Sequence, residues 1–475
     1  MLSNTPYLKI RKALDEGELS CAQLLDHYLT NIHNKNPELN ALLSVYEEEA
    51  KVRAQVIDEK LKLGTAGKLA GLVVSIKDVL CYKNHPLSMG SKILENFESQ
   101  FSATCVERLL AEDAIIIGRN NCDEFAMGSS SENSAYGVVR NADDTNRVPG
   151  GSSGGSAVSV QADMCAVSLG TDTGGSVRQP ASFCGIVGFK PTYSRISRYG
   201  LASYASSFDA IGIFANSVED TALVLEIIAG EDDFDSTVSQ KPVENYSKFE
   251  KNIGEYTIAT FNEAYEHGMQ HEVKEHVQSL LEGLKTQHKV ESIDFPLLNY
   301  ALATYYILTT AEASSNLSRY DGVKFGHRVA NPKDLEDMYK RSRTEGFGKE
   351  VLKRILLGTF VLSASYLDAF YTKAQKSRRM IKQEMEKIFE KSDFIILPTA
   401  PTTAFELNAK TQDPLEMYLA DLLTVPASIG GFPAISIPIG KDKNGMSIGL
   451  QIVANTFEET KLLSFAKSIQ DKLNA

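Results

Sequence analysis

PGGSSGGSAVSVQADMCAVSLGTDTGGS, residues 149–176, sets two Gly-Gly-Ser clusters on either side of an apolar, helix-compatible segment. Glycine lets backbone N–H groups approach a reacting atom without side-chain cover, and serine brings the hydroxyl of a potential nucleophile. No histidine lies between His85 and His267, so serine chemistry in this tract needs a base other than a nearby imidazole, which points to lysine. Lys77 closes the apolar run 69–76 (LAGLVVSI), the pattern of a buried strand. Desolvation at such a place favours the neutral amine, which is able to accept a proton. Alone, a Lys-Asp pair after a strand reads as a solvated strand end; beside the Gly/Ser tract the balance reverses.

Other readings of the tract fit less well. A flexible linker is rarely flanked by strand and helix patterns. A phosphate loop of the form G-x-x-x-x-G-K-[ST] needs a lysine that GGSSGGSA lacks. A G-x-S-x-G elbow fails because Val177 and Arg178 follow Ser176. What remains is Ser176 on a glycine-rich turn, with the backbone N–H groups of Thr173, Gly174, Gly175 and Ser176 free to form an oxyanion hole.

Outward from the tract, periodicity predicts helices over most of residues 1–66, with Ser20 and Gln23 at capping-box spacing and an amphipathic stretch over 46–63. A helix over 104–113 precedes a buried strand at 114–117. Ser217 and Asp220 open a helix that Gly230 closes. Residues 255–390 read as mostly helical, with a long amphipathic stretch at 363–391. Strands are expected at 394–397, 434–439 and 446–453, the last two flanking an Asn444-Gly445 turn. Thr456 and Glu459 are expected to cap a final helix. Strands alternating with helices indicate an α/β fold with a largely covered sheet.

The chain has 475 residues, 43% hydrophobic and 23% charged, with a net charge of −12. That balance argues against its being the main nucleic-acid-binding surface. Six cysteines carry no C-x-x-C pair, which fits reduced thiols and no metal site. The first twenty residues lack the apolar core of a secretory signal, and no run of about 20 apolar residues is present; a cytoplasmic location away from the membrane is the expectation.

GGSSGGSA, then GTDTGGSVRQPASFCGIVGFKPT, preceded by SIKD, resembles the amidase signature family. The resemblance implies one large α/β domain over 1–475, with a mixed sheet of about eleven strands covered by helices on both faces. Its parts would be an N-terminal helical segment (1–66), a catalytic core (67–215), a mainly helical region (231–391) and C-terminal strands and helix (392–475). It also implies a Ser–cis-Ser–Lys triad: Ser176 as nucleophile, Ser152 as the bridging serine in a cis peptide, and Lys77 as general base.

The segments 121–137, 194–212, 311–328, 356–379 and 421–438 are similar to one branch of the family, the glutaminase component (the A-subunit) of tRNA-dependent amidotransferases. In that branch an arginine and an aspartate, matching Arg354 and Asp421, hold the α-carboxylate and α-amino group of L-glutamine. A zwitterion calls for one fixed cation and one fixed anion. Ser129 and either Tyr305 or Tyr306 would line the same pocket. The branch further implies a heterotrimer. In it, ammonia would pass to a B-subunit, which amidates Glu-tRNA(Gln) with ATP and Mg²⁺, while a small C-subunit bridges the two. No cofactor or metal would bind this chain itself. The rival readings are a stand-alone amidase acting on small carboxamides and a nucleotide- or peptide-binding protein without covalent chemistry.

The chain departs from the family's common pattern at Gly71-Leu72-Val73, at 209–214 (DAIGIF) and at Tyr193-Ser194, where Tyr-Gly is usual. His267, His271 and His276 read as a solvated helix rather than metal ligands. The basic run Lys373, Lys376, Arg378 and Arg379 reads as an exposed face, and Asp172 and Arg178 as locks on the nucleophile turn.

Overall fold

Val73–Lys77, buried at every position, is one of eleven strands that join in a single mixed sheet. The computed structural model describes residues 2–250, 254–266, 268–409 and 414–474. In chain order the strands are β1 (Leu42–Val45), β2 (Val73–Lys77), β3 (Ile115–Asn120), β4 (Val167–Asp172), β5 (Val187–Lys190), β6 (Ala210–Ala215), β7 (Thr257–Phe261), β8 (Lys289–Ile293), β9 (Phe394–Pro398), β10 (Ala434–Lys441) and β11 (Ser447–Ala454). Their order across the sheet is β1-β3-β2-β4-β6-β5-β10-β11-β9-β7-β8. The central strands β2 to β6 are buried along their whole length, which requires cover on both faces and yields one α/β domain.

Register places the chemistry. β2 runs parallel to β4, with Ile76 opposite Leu169, so Lys77 at the end of β2 and the turn after Asp172 emerge at the same carboxyl edge. Ligand sites of open α/β sheets occupy that edge. The helix Gly154–Gln161 lies between Ser152 and β4, and the helix Arg178–Cys184 follows Ser176. The segment between the two serines is therefore helix then strand, and it folds both clusters back to one edge.

Several expectations need correction. The stretches 1–66 and 255–390 are mostly helical as expected, but the first also contains β1 and the second β7 and β8. β1 and β8 are the outer strands of the sheet; both are short and only partly buried, so their apolar signal is weak. Within 363–391 a continuous helical run covers 367–389, opening with the π-helical turn Leu367–Thr372, and it is bent by 98° from the preceding helix Lys349–Leu362. The final helix begins at Glu459, and its carboxylate accepts the Thr192 N–H (2.9 Å) instead of closing a box with Thr456. The box at Ser20 and Gln23 forms as expected, and the Ser217 side chain accepts the Asp220 N–H. All six cysteines are buried and unpaired.

Candidate active site

Lys77 is wholly buried, and among the described residues its Nζ hydrogen-bonds only to hydroxyls. Nζ donates to Ser152 Oγ (2.7 Å), Ser153 Oγ (2.9 Å) and Thr171 Oγ1 (2.9 Å). Burial without a carboxylate in contact lowers the amine to about 8, which makes a neutral, proton-accepting lysine accessible near physiological pH. Ser153 and Thr171 are themselves fixed: Ser153 Oγ donates to the Thr171 carbonyl (3.1 Å) and accepts the Thr171 N–H (3.2 Å).

The peptide bond Gly151–Ser152 is cis. Its surroundings hold it from several sides. The Gly151 N–H donates to Gln179 Oε1 (2.9 Å), Gln179 Nε2 donates to the Ser129 carbonyl (2.9 Å), and the Asp123 N–H donates to the Ser152 carbonyl (3.1 Å).

Ser176 lies in the turn between β4 and the helix Arg178–Cys184. Asp172 accepts the Val177 N–H (3.2 Å) and both Nε (3.0 Å) and Nη2 (2.8 Å) of Arg178. Burial works against the Asp172 charge, yet the Arg178 guanidinium holds its carboxyl below the usual range. Arg178 Nη1 reaches the Thr424 carbonyl (2.8 Å), and Thr424 Oγ1 donates back to the Gly174 carbonyl (2.6 Å). Asp172 and Arg178 thus lock the turn. Gly175 has φ +141°, and a Cβ there would stand 2.2 Å from Thr424 Oγ1, so only glycine fits. Among the described residues, the N–H groups of Gly174, Gly175 and Ser176 have no acceptor, the condition an oxyanion hole requires.

A second group of side chains comes from distant segments. Arg354, 3% exposed on the helix Lys349–Leu362, donates through Nε to Glu350 Oε1 (2.8 Å) and through Nη1 to the Tyr204 hydroxyl (2.9 Å). Its guanidinium also faces the rings of Tyr306 (5.3 Å) and Tyr418 (6.0 Å). Asp421 is buried, and its Oδ2 accepts from Ser129 Oγ (2.6 Å) and the Tyr306 hydroxyl (3.3 Å). Burial raises its carboxyl to about 7, Ser129 and Arg354 opposing. Arg354 pairs with Glu350 and not with Asp421; Tyr306 stands between the two.

The two tyrosines separate cleanly. Tyr306, Arg354 and Tyr418 line a cavity of about 770 Å³, whose wall is otherwise largely apolar. Tyr305 packs against the nucleophile turn, where a Cβ on Gly174 would meet its ring at 2.5 Å. Lys77, Ser152, Ser176 and Asp421 do not line that cavity.

Lys77 and Ser152 are in direct contact, whereas the Ser176 hydroxyl takes no hydrogen bond among the described residues. Sequence reasoning missed Tyr204, Glu350, Tyr418 and Thr424. Glu350 stands four residues before Arg354 on one helix face, a spacing that signals pairing; the others have no local signature. Arg378 is not a surface charge: it donates to Ser207 Oγ (2.7 Å) and lies over the Phe208 ring (4.1 Å). His267 falls outside the described residues, His271 pairs with Glu275, and His276 Nδ1 meets the Glu272 carbonyl. No group of three metal-ligating side chains occurs among the described residues.

Residues 23–463 match the amidase family. The chain is 48% identical over 468 residues to the A-subunit of glutamyl-tRNA(Gln) amidotransferase from Chlorobaculum parvum, covering 98% of this chain and 97% of that protein. The crystal structure of the corresponding A-subunit from Thermotoga maritima superposes with a TM-score of 0.80 at 39% identity, over 95% of this chain and 91% of that one. A crystal structure described as an amidase superposes with a TM-score of 0.84 at 29% identity, over 98% and 100% of the two chains.

Proposed function

The chain belongs to the amidase family, and we propose that it is the glutamine-hydrolysing subunit of a tRNA-dependent amidotransferase. The carrying observation is the opposed pair Arg354 and Asp421, each buried with its own partners and bridged by Tyr306. A small neutral amide has no use for such a pair, whereas the α-carboxylate and α-amino group of L-glutamine match it. Tyr306 and Ser129 complete this pocket, and Tyr305 supports the turn from behind.

In this reading glutamine docks with its side-chain amide carbon at Ser176. Lys77, neutral, takes the Ser152 proton as Ser152 takes that of Ser176, and the serine oxygen attacks the carbonyl. The oxyanion rests on the N–H groups of the turn from Thr173 to Ser176. The proton returns through Ser152 to the departing nitrogen, ammonia leaves, and water hydrolyses the glutamyl ester on Ser176. Ammonia then passes to a partner B-subunit that amidates Glu-tRNA(Gln) using ATP and Mg²⁺, with a small C-subunit joining the two in a heterotrimer. The chain itself carries no cofactor and works in the cytoplasm; among its described residues no single helix is long and apolar enough to cross a membrane.

The test is ammonia release from L-glutamine by the full chain, together with amidation of Glu-tRNA(Gln) when its co-purified partners are present. Turnover of propionamide at a rate matching glutamine, with no tRNA product, would assign the chain instead to the stand-alone amidases.

A further inference from the structure

Residues 204–209 touch both halves of the site. The buried Asp209 carboxylate accepts three hydrogen bonds: Thr173 Oγ1 (2.7 Å) on Oδ1, and the N–H groups of Tyr204 and Ala205 (3.0 Å each) on Oδ2. Thr173 opens the turn that presents Ser176. Tyr204 carries the hydroxyl that receives Arg354 Nη1 (2.9 Å). One carboxylate therefore reaches the nucleophile turn through one oxygen and the arginine clamp through the other.

We propose that Asp209 is a positioning residue that holds the Ser176 turn and the Arg354 clamp in a common register, acting on the first through Thr173 and on the second through Tyr204. The inference rests on the glutaminase reading above. The rest of the loop is held firmly enough to transmit it. Asn316 Nδ2 donates to the Tyr204 carbonyl (3.2 Å), Glu312 accepts the Ser207 N–H (2.9 Å), and Arg378 donates to Ser207 Oγ (2.7 Å). The Phe208 ring meets Tyr305 edge-on at 5.7 Å, and Tyr305 backs Gly174. A carboxylate accepting several donors makes charge-assisted bonds, stronger than neutral ones, so removing its charge loosens both arms together.

The experiment compares Thr173→Val, Tyr204→Phe and Asp209→Asn in the full chain. It reads kcat and KM for ammonia release from L-glutamine, the rate at which phenylmethanesulfonyl fluoride sulfonylates Ser176, and the thermal midpoint. Thr173→Val is expected to lower kcat and sulfonylation about tenfold with little change in KM, and Tyr204→Phe to raise KM about tenfold with sulfonylation unchanged. Asp209→Asn is expected to do both. An Asp209→Asn chain with wild-type KM or wild-type sulfonylation overturns the proposal, as does one whose only change is a lower thermal midpoint. Should Asp209→Asn not fold, the two single variants decide: an unchanged kcat in Thr173→Val or an unchanged KM in Tyr204→Phe sinks it. A wild-type chain inert toward glutamine would overturn the glutaminase reading instead, and the sulfonylation rates would still judge the Thr173 arm.

Discussion

The Lys77–Ser152–Ser176 end of the site and the Arg354–Asp421 end are built on different principles. The first is drawn from 77–176, sits at the carboxyl ends of two parallel strands, and is shaped by backbone: a cis peptide, a glycine at φ +141°, and N–H groups without acceptors among the described residues. The second collects side chains from residues 129, 204, 306, 350, 354 and 421, carried on loops and helices that pack against one another. In the proposed function, backbone geometry shapes the bond-breaking end, and side chains brought from distant segments select the substrate.

That contrast is open to attack in order of expected effect. Ser176→Ala and Lys77→Ala should each lower kcat by about 10³-fold or more, because nucleophile and base act as a unit; a steady-state ammonia assay retaining even a tenth of the rate would break the assignment. Gly175→Ala meets both an unfavourable φ and the Thr424 side chain. It should cost about 2–4 kcal/mol in denaturant unfolding and most of the activity. If the two ends are separable, Arg354→Ala should raise the glutamine KM by about 10–100-fold while sulfonylation of Ser176 stays near wild type.

The pH dependence sharpens the same division. Lys77, lowered by burial to about 8, accepts a proton only when neutral, so kcat should climb as pH rises through about 8. Its folded value lies below the ordinary one near 10.5, so the unfolded chain binds more protons between the two. Stability at this group therefore increases with pH across that window, and the burial penalty is felt in full below it. Asp421, raised by burial to about 7, must be ionised to hold an ammonium, so KM should increase as pH falls below about 7. Asp421→Asn should abolish the rise in KM at low pH and leave the kcat profile near 8 in place; a kcat profile that moves with it would contradict the division. The smallest effect belongs to Ser194, which stands at φ +76°. Ser194→Gly should stabilise the fold by no more than about 1 kcal/mol and leave kinetics unchanged.

The same contrast explains what was legible in the sequence. The Gly/Ser clusters, the missing histidine and the lysine ending an apolar run are local patterns, and they lead to Lys77 and Ser176 because the chemistry there depends on residue type; Ser152 is singled out only by the family resemblance. Ser194 occupies the left-handed conformation that favours glycine, so the departure from Tyr-Gly noted in the sequence has a conformational meaning there. Tyr204, Tyr418 and Thr424 carry no such signal: their roles exist only after helices far apart in the chain pack together. The edge strands β1 and β8 escaped for a related reason, since a short strand with one neighbour has little apolar surface to declare itself. Choosing between Tyr305 and Tyr306 required knowing which of two adjacent helix positions faces Gly174.

The six buried cysteines have a practical meaning for the nucleophile. Burial pushes Cys165 to about 11 and Cys105 to about 12, and raises the other four as well. The thiolate is the reactive form of cysteine, so at neutral pH the folded chain offers electrophiles almost no sulfur. A serine-directed reagent then meets a silent background, and the moles of adduct formed per mole of protein count competent sites directly.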